Sequence, residues 1–89
     1  MGFRRKAGVN RPYEEQGYIY FKSRMYQRLP EKDKKMIRDL CAECAGDYFT
    51  ALFRFVTTDD TATKICMEEY VSRSTLYRCV RKYYGRFKI

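Results

Sequence analysis

Six side chains in one short stretch suit the recognition of a polyanion: Arg73, Ser74, Tyr77, Arg78, Arg81 and Lys82. Turned by about 100° per residue, they gather on one side of a helix, and Leu76, Cys79, Val80 and Tyr83 gather on the other. An arginine fork matches phosphate oxygens or the major-groove edge of guanine, and small hydroxyl residues can approach bases closely. Tyr77 offers a hydroxyl and a ring to a phosphate, a base or a thymine methyl. Ser74 and Thr75 read either as base contacts or as first-turn capping residues. A basic outer face over an apolar inner face suits a helix laid into the major groove of duplex DNA.

A helix used in this way must be mounted on another. Thr61 or Asp60 can cap a preceding helix whose inner side carries Ile65 and Cys66. Met67 to Val71 then carries a tight bend. Ser72 is a good N-cap for the second helix, because its hydroxyl can accept from an orphan backbone N–H of the first turn. The bihelical unit spans residues 61–85.

The run from Ile65 to Arg78, ICMEEYVSRSTLYR, resembles the helix-turn-helix of bacterial and phage regulators. Its closest part, Val71 to Arg78, is similar to the turn and recognition helix of TetR-like and resolvase-like DNA-binding domains. The resemblance implies a sequence-specific binder of double-stranded DNA, a phage or mobile-element transcriptional regulator acting by promoter occupancy. It assigns base contacts to Arg73, Ser74, Thr75, Tyr77 and Arg78; position on the outer face leaves Arg81 and Lys82 to phosphate. Two positions depart from the family pattern: an apolar residue is usual where Glu69 stands, and glycine where Tyr70 stands. Glycine serves a positive φ there, so Tyr70 predicts a strained tyrosine or a bend of another form.

The charge distribution points the same way. The 89 residues carry a net charge of +8. Residues 1–11 hold Arg4, Arg5, Lys6 and Arg11 without an acid. Residues 72–89 hold Arg73, Arg78, Arg81, Lys82, Arg86 and Lys88, also without an acid. Of nineteen basic residues nine therefore lie between, against all eleven acidic ones, so the middle is slightly negative. Charge concentrated in an arm and in a candidate recognition helix is the footprint of a duplex binder, whose affinity comes largely from counterion release. The bland alternative is that the charge serves solubility.

The elements expected around the unit are helical. Residues 1–13, with two glycines and a proline, read as a flexible basic arm in which Arg4 and Arg5 can reach a groove or the backbone. Residues 14–89 read as a single domain. A first helix from Glu14 to Leu29 would turn Tyr18, Phe21, Met25 and Leu29 inward, with a strand at Tyr18–Phe21 as the competing reading. Pro30 suits the start of a long central helix over 31–56, whose stripe runs through Met36, Ile37, Leu40, Cys41, Cys44, Tyr48, Phe49, Leu52, Phe53 and Val56. That stripe is either covered by the other helices or doubles as a homodimer seam. Gly46 weakens the long helix, or marks a close approach of another one. Gly85 ends or loosens the last helix. The expected class is thus all-α, with about four helices.

No reaction is expected. There is no histidine, and the five glycines are scattered rather than gathered in a phosphate loop. Cys41 and Cys44 form a C-x-x-C, but Cys66 and Cys79 are not a second close pair, and all four fall at apolar-stripe positions where a free thiol packs as a small hydrophobe. No cofactor or metal is therefore expected. No apolar run reaches the length of about 18 residues that a membrane span requires, and no signal-peptide core follows the basic start, so a cytoplasmic protein with reduced thiols is expected. The rival readings are a small inhibitor that uses the same scaffold to bind a host nuclease or polymerase subunit, and an RNA binder.

Overall fold

The computed structural model describes residues 8–89, and every regular element among them is helical. Helix α1 runs over Tyr13–Arg24, α2 over Glu31–Ala45, α3 over Phe49–Thr57, α4 over Ala62–Glu69 and α5 over Arg73–Arg86. Short 3-10 turns at Tyr26–Arg28 and Gly46–Tyr48 join the first three. From Glu31 to Thr57 the backbone is one long central helical run, bent at Gly46. Helix α3 touches all four other helices and carries the centre of the core. Leu52 there is fully buried, as are Ile19, Ile37, Cys41, Ile65 and Tyr83.

The first helix is shorter than its periodicity predicts and faces the other way. It ends at Arg24, and Leu29 is extended, as a residue before proline prefers. Tyr18, Phe21 and Met25, expected inside, are exposed; Gln16, Ile19 and Ser23 are buried. The reason is that both polar residues find partners in the core. Gln16 Nε2 donates to the Arg11 carbonyl at 3.0 Å, and the Ser23 and Tyr83 hydroxyls share a hydrogen bond of 2.7 Å. A satisfied polar side chain is tolerated inside, whereas pattern reading places it outside.

The central stripe is largely covered within the chain. Ile37, Leu40, Cys41, Cys44, Leu52 and Val56 are buried, and Met36, Phe49 and Phe53 pack against that core. Phe53 meets the Tyr26 ring edge-on at 5.0 Å and stacks on Phe49 at 5.5 Å. Of the stripe, Tyr48 is well exposed.

The glycines act through backbone conformation rather than close approach. At Gly46, φ is 55° and ψ is −117°, and a Cβ built there would meet nothing within 4 Å. The residue bends the central run because only glycine takes that conformation freely. Gly46→Ala should therefore lower the unfolding free energy by about 1–3 kcal/mol in a denaturant titration, with the strain alone responsible. The last helix does not end at Gly85 but continues to Arg86. The Arg11 guanidinium replaces a glycine cap: it donates to the Phe87 carbonyl at 2.6 Å and the Gly85 carbonyl at 3.3 Å, and to Glu15 at 3.0 Å. A cation at a helix C-terminus is also favoured by the helix dipole.

Arg11 bears on the arm expected over 1–13. Its first seven residues, with Arg4 and Arg5, lie outside the described residues. From Gly8 onward the chain is held: Val9 is buried, and Arg11 is tied to the end of α5.

Candidate nucleic-acid interface

The unit over 61–85 forms for reasons that its residues supply. Thr61 caps α4, its hydroxyl accepting from Lys64 N at 3.1 Å. Ser72 caps α5 in the same way, accepting from Thr75 N at 3.2 Å. Between them Tyr70 adopts the left-handed conformation, with φ 56° and ψ 48°. Val71 N donates back to the Cys66 carbonyl at 3.2 Å, and the Val71 side chain is buried. This bond across the helix end, with an apolar residue tucked in behind it, is the Schellman arrangement. The chain therefore makes the glycine-type turn without the glycine, and hydrogen bonding and burial on either side hold Tyr70 in place.

Tyr70 itself is 92% exposed, so its ring contributes little packing to offset the strain. Tyr70→Gly should raise the melting temperature, by an amount equivalent to about 0.5–1 kcal/mol once glycine's added freedom in the unfolded chain is subtracted. A lower melting temperature would show that the ring packs in a way its exposure does not reveal.

Helix α5 divides sharply. Leu76, Cys79, Val80 and Tyr83 are buried, as the pattern predicts, and Tyr84 joins them. Ser74, Arg78, Arg81 and Lys82 are exposed and share the opposite side. Arg73 is exposed at the helix start, with its guanidinium donating to the Thr63 hydroxyl on α4. Thr75 and Tyr77 are half-buried and turned toward the protein. The Thr75 hydroxyl is engaged by Ser72 at 2.9 Å, and the Tyr77 ring lies edge-on to Phe55 of α3 at 5.8 Å. Of the seven α5 residues named from the sequence, four thus form one exposed face and Arg73 flanks it. Thr75 belongs to the cap and Tyr77 to the seam with α3.

Arg81 has a neighbour that the sequence did not suggest. Gly8 has φ +79°, and a Cβ there would lie 2.6 Å from Arg81 Cδ. The Arg81 stem thus lies against the point where the described chain begins. The rest of the C-terminal charge goes elsewhere. Arg86 pairs with Glu43 of α2 at 2.6 Å, and with Lys88 it lines a shallow groove beside Lys32, Lys35 and Met36.

The acids nearest the bend are neutralised. Arg54 of α3 reaches Asp60 at 2.8 Å, Glu68 at 2.9 Å and Glu69 at 3.0 Å. The Arg54 hydrogen bond holds the Asp60 carboxyl below its usual range. The sign follows: this tie stabilises the fold at neutral pH and is lost as pH falls through the lowered value. Arg54 fastens α3 to both ends of α4 and draws carboxylate charge away from α5. Glu69, where the family pattern has an apolar residue, is one of its partners.

The cysteines lie in or against the core. Cys41, Cys44 and Cys79 are buried, and burial pushes the Cys41 thiol up to about 12, leaving it protonated and non-nucleophilic at neutral pH. Among the described residues no three His, Cys, Asp or Glu side chains lie together so as to hold a metal ion. No helix among them is long and apolar enough to cross a membrane.

Comparison of the chain with protein-family models, with curated proteins and with solved structures found no match. The reading of the site therefore rests on its own geometry.

Proposed function

We propose that this protein binds double-stranded DNA through α5 and regulates transcription by occupying a promoter, in the manner of phage or mobile-element regulators. The observation that carries the reading is the exposed face of Ser74, Arg78, Arg81 and Lys82, which holds three cations and no acid. It stands on a helix whose other side is anchored in the core and whose start is fixed by Ser72 and by the Arg73 bond to Thr63. A stiffly held helix with that face can enter a major groove, Arg78 and Ser74 toward base edges and Arg81 and Lys82 toward phosphates. Arg4 and Arg5, at most four residues before Gly8, are within covalent reach of the Arg81 side of that face.

A pair of substitutions tests this on a selected DNA site. Arg78→Ala should weaken specific binding by about 1–3 kcal/mol. Arg86→Ala, which removes a cation already paired with Glu43 away from that face, should change it little. Equal losses in the two variants would mean that only bulk charge is being read.

A further inference from the structure

Tyr70 is a side chain for which the fold itself has no use. Among the described residues it is the one non-glycine residue with a positive φ. Its conformation, φ 56° and ψ 48°, suits glycine and strains a tyrosine. The bend is held by the bond from Val71 N to the Cys66 carbonyl and by the buried Val71 side chain, neither of which involves the ring. The ring is 92% exposed. The Tyr70 hydroxyl has no partner among the described residues, whereas the Tyr18, Tyr26 and Tyr83 hydroxyls meet Lys22, Arg38 and Ser23. Backbone strain that the side chain's own packing does not offset is characteristic of functional positions.

The place of Tyr70 in the bihelical unit says what its hydroxyl meets. It stands two residues before the Ser72 cap, at the joint between α4 and α5. In a helix-turn-helix complex the first helix crosses the DNA backbone and the start of the second enters the major groove, so the joint lies by a strand that borders the groove. Three residues span at most about 10 Å and the groove is about 12 Å wide, which brings that strand within reach of Tyr70 when α5 is seated there. The charge around the joint tolerates a phosphate. Glu68 and Glu69, just before Tyr70, are paired with Arg54 at 2.9 and 3.0 Å, and Ser72, Arg73 and Ser74 follow it without an acid. We propose that the Tyr70 hydroxyl donates a hydrogen bond to a phosphate oxygen of the duplex and so positions α5 in the groove. This contact rests on the DNA reading and adds to it a residue outside the basic face. The hydroxyl is uncharged and releases no counterion, so the bond adds affinity without adding to the salt dependence.

Duplex binding by the wild type, Tyr70→Phe and Tyr70→Gly, measured at two salt concentrations beside the melting temperature of each protein, tests the contact. Tyr70→Phe keeps the ring and loses only the hydroxyl. It should melt with the wild type, bind about tenfold more weakly and keep the wild-type salt slope. Tyr70→Gly should bind at least as weakly while melting higher, because it loses the bond and relieves the strain. A merely structural role would move stability and affinity in the same direction. Either variant binding like the wild type would overturn the contact and leave the DNA reading in place. A Tyr70→Phe loss that comes with a flatter salt slope or a lower melting temperature would overturn it equally. A folded wild type that binds no duplex would remove the contact and the DNA reading together.

Discussion

Leu52→Ala should cost the fold about 2–5 kcal/mol. Leu52 is fully buried in α3, and α3 touches each of the other four helices. Truncation leaves a cavity that no single helix can collapse into without pulling away from the rest. Stability of a domain this small lies toward the low end of the usual range of about 5–15 kcal/mol, so the variant sits close to its unfolding threshold. The melting temperature should fall by roughly 10 °C or more. Duplex binding by the fraction that remains folded should be unchanged, because Leu52 is remote from the exposed face of α5. A loss below about 1 kcal/mol, the level of an ordinary surface substitution, would mean that α3 is not the hub of the core.

The combined Arg78→Ala, Arg81→Ala and Lys82→Ala variant should show the largest functional effect. The three side chains are exposed on one side of α5. Each cation that neutralises a phosphate adds roughly 0.9 to the slope of log affinity against log salt, so removing Arg81 and Lys82 should flatten that slope by about 1.8, while losing Arg78 removes a base contact. Affinity at low salt should fall about a hundredfold or more. The fold should survive, since none of the three is buried, and thermal melting of the variant checks this directly. A slope that stays steep would move the interface elsewhere on the molecule, the Lys32, Lys35 and Lys88 groove being the next place to look.

The bihelical unit was legible because its signals are local. The caps at Thr61 and Ser72 and the buried row Leu76, Cys79, Val80 and Tyr83 lie within a few residues of the elements they define. What the sequence hid depends on partners far along the chain. The Tyr83 hydroxyl is satisfied by Ser23, sixty residues away, and that bond turns α1 by burying a polar side chain. Arg11 reads as arm charge, yet it caps α5 across more than seventy residues. Arg54 gathers Asp60, Glu68 and Glu69, which lie 6 to 15 residues further along the chain. Tyr77 falls on the outer face by period and Thr75 is named by the resemblance, and only the cap and the Phe55 ring show them to be engaged inward. Gly46 was visible as a weak point, but a bend and a tolerated glycine look alike until φ is known.

Binding of a labelled random-sequence duplex, followed by anisotropy at two salt concentrations, tests the central claim most directly. With Arg81 and Lys82 on phosphates, micromolar binding at about 50 mM salt should weaken by about tenfold or more at about 200 mM. No binding at the lower salt, from protein shown to be folded, would contradict the DNA reading and favour a protein partner for this scaffold.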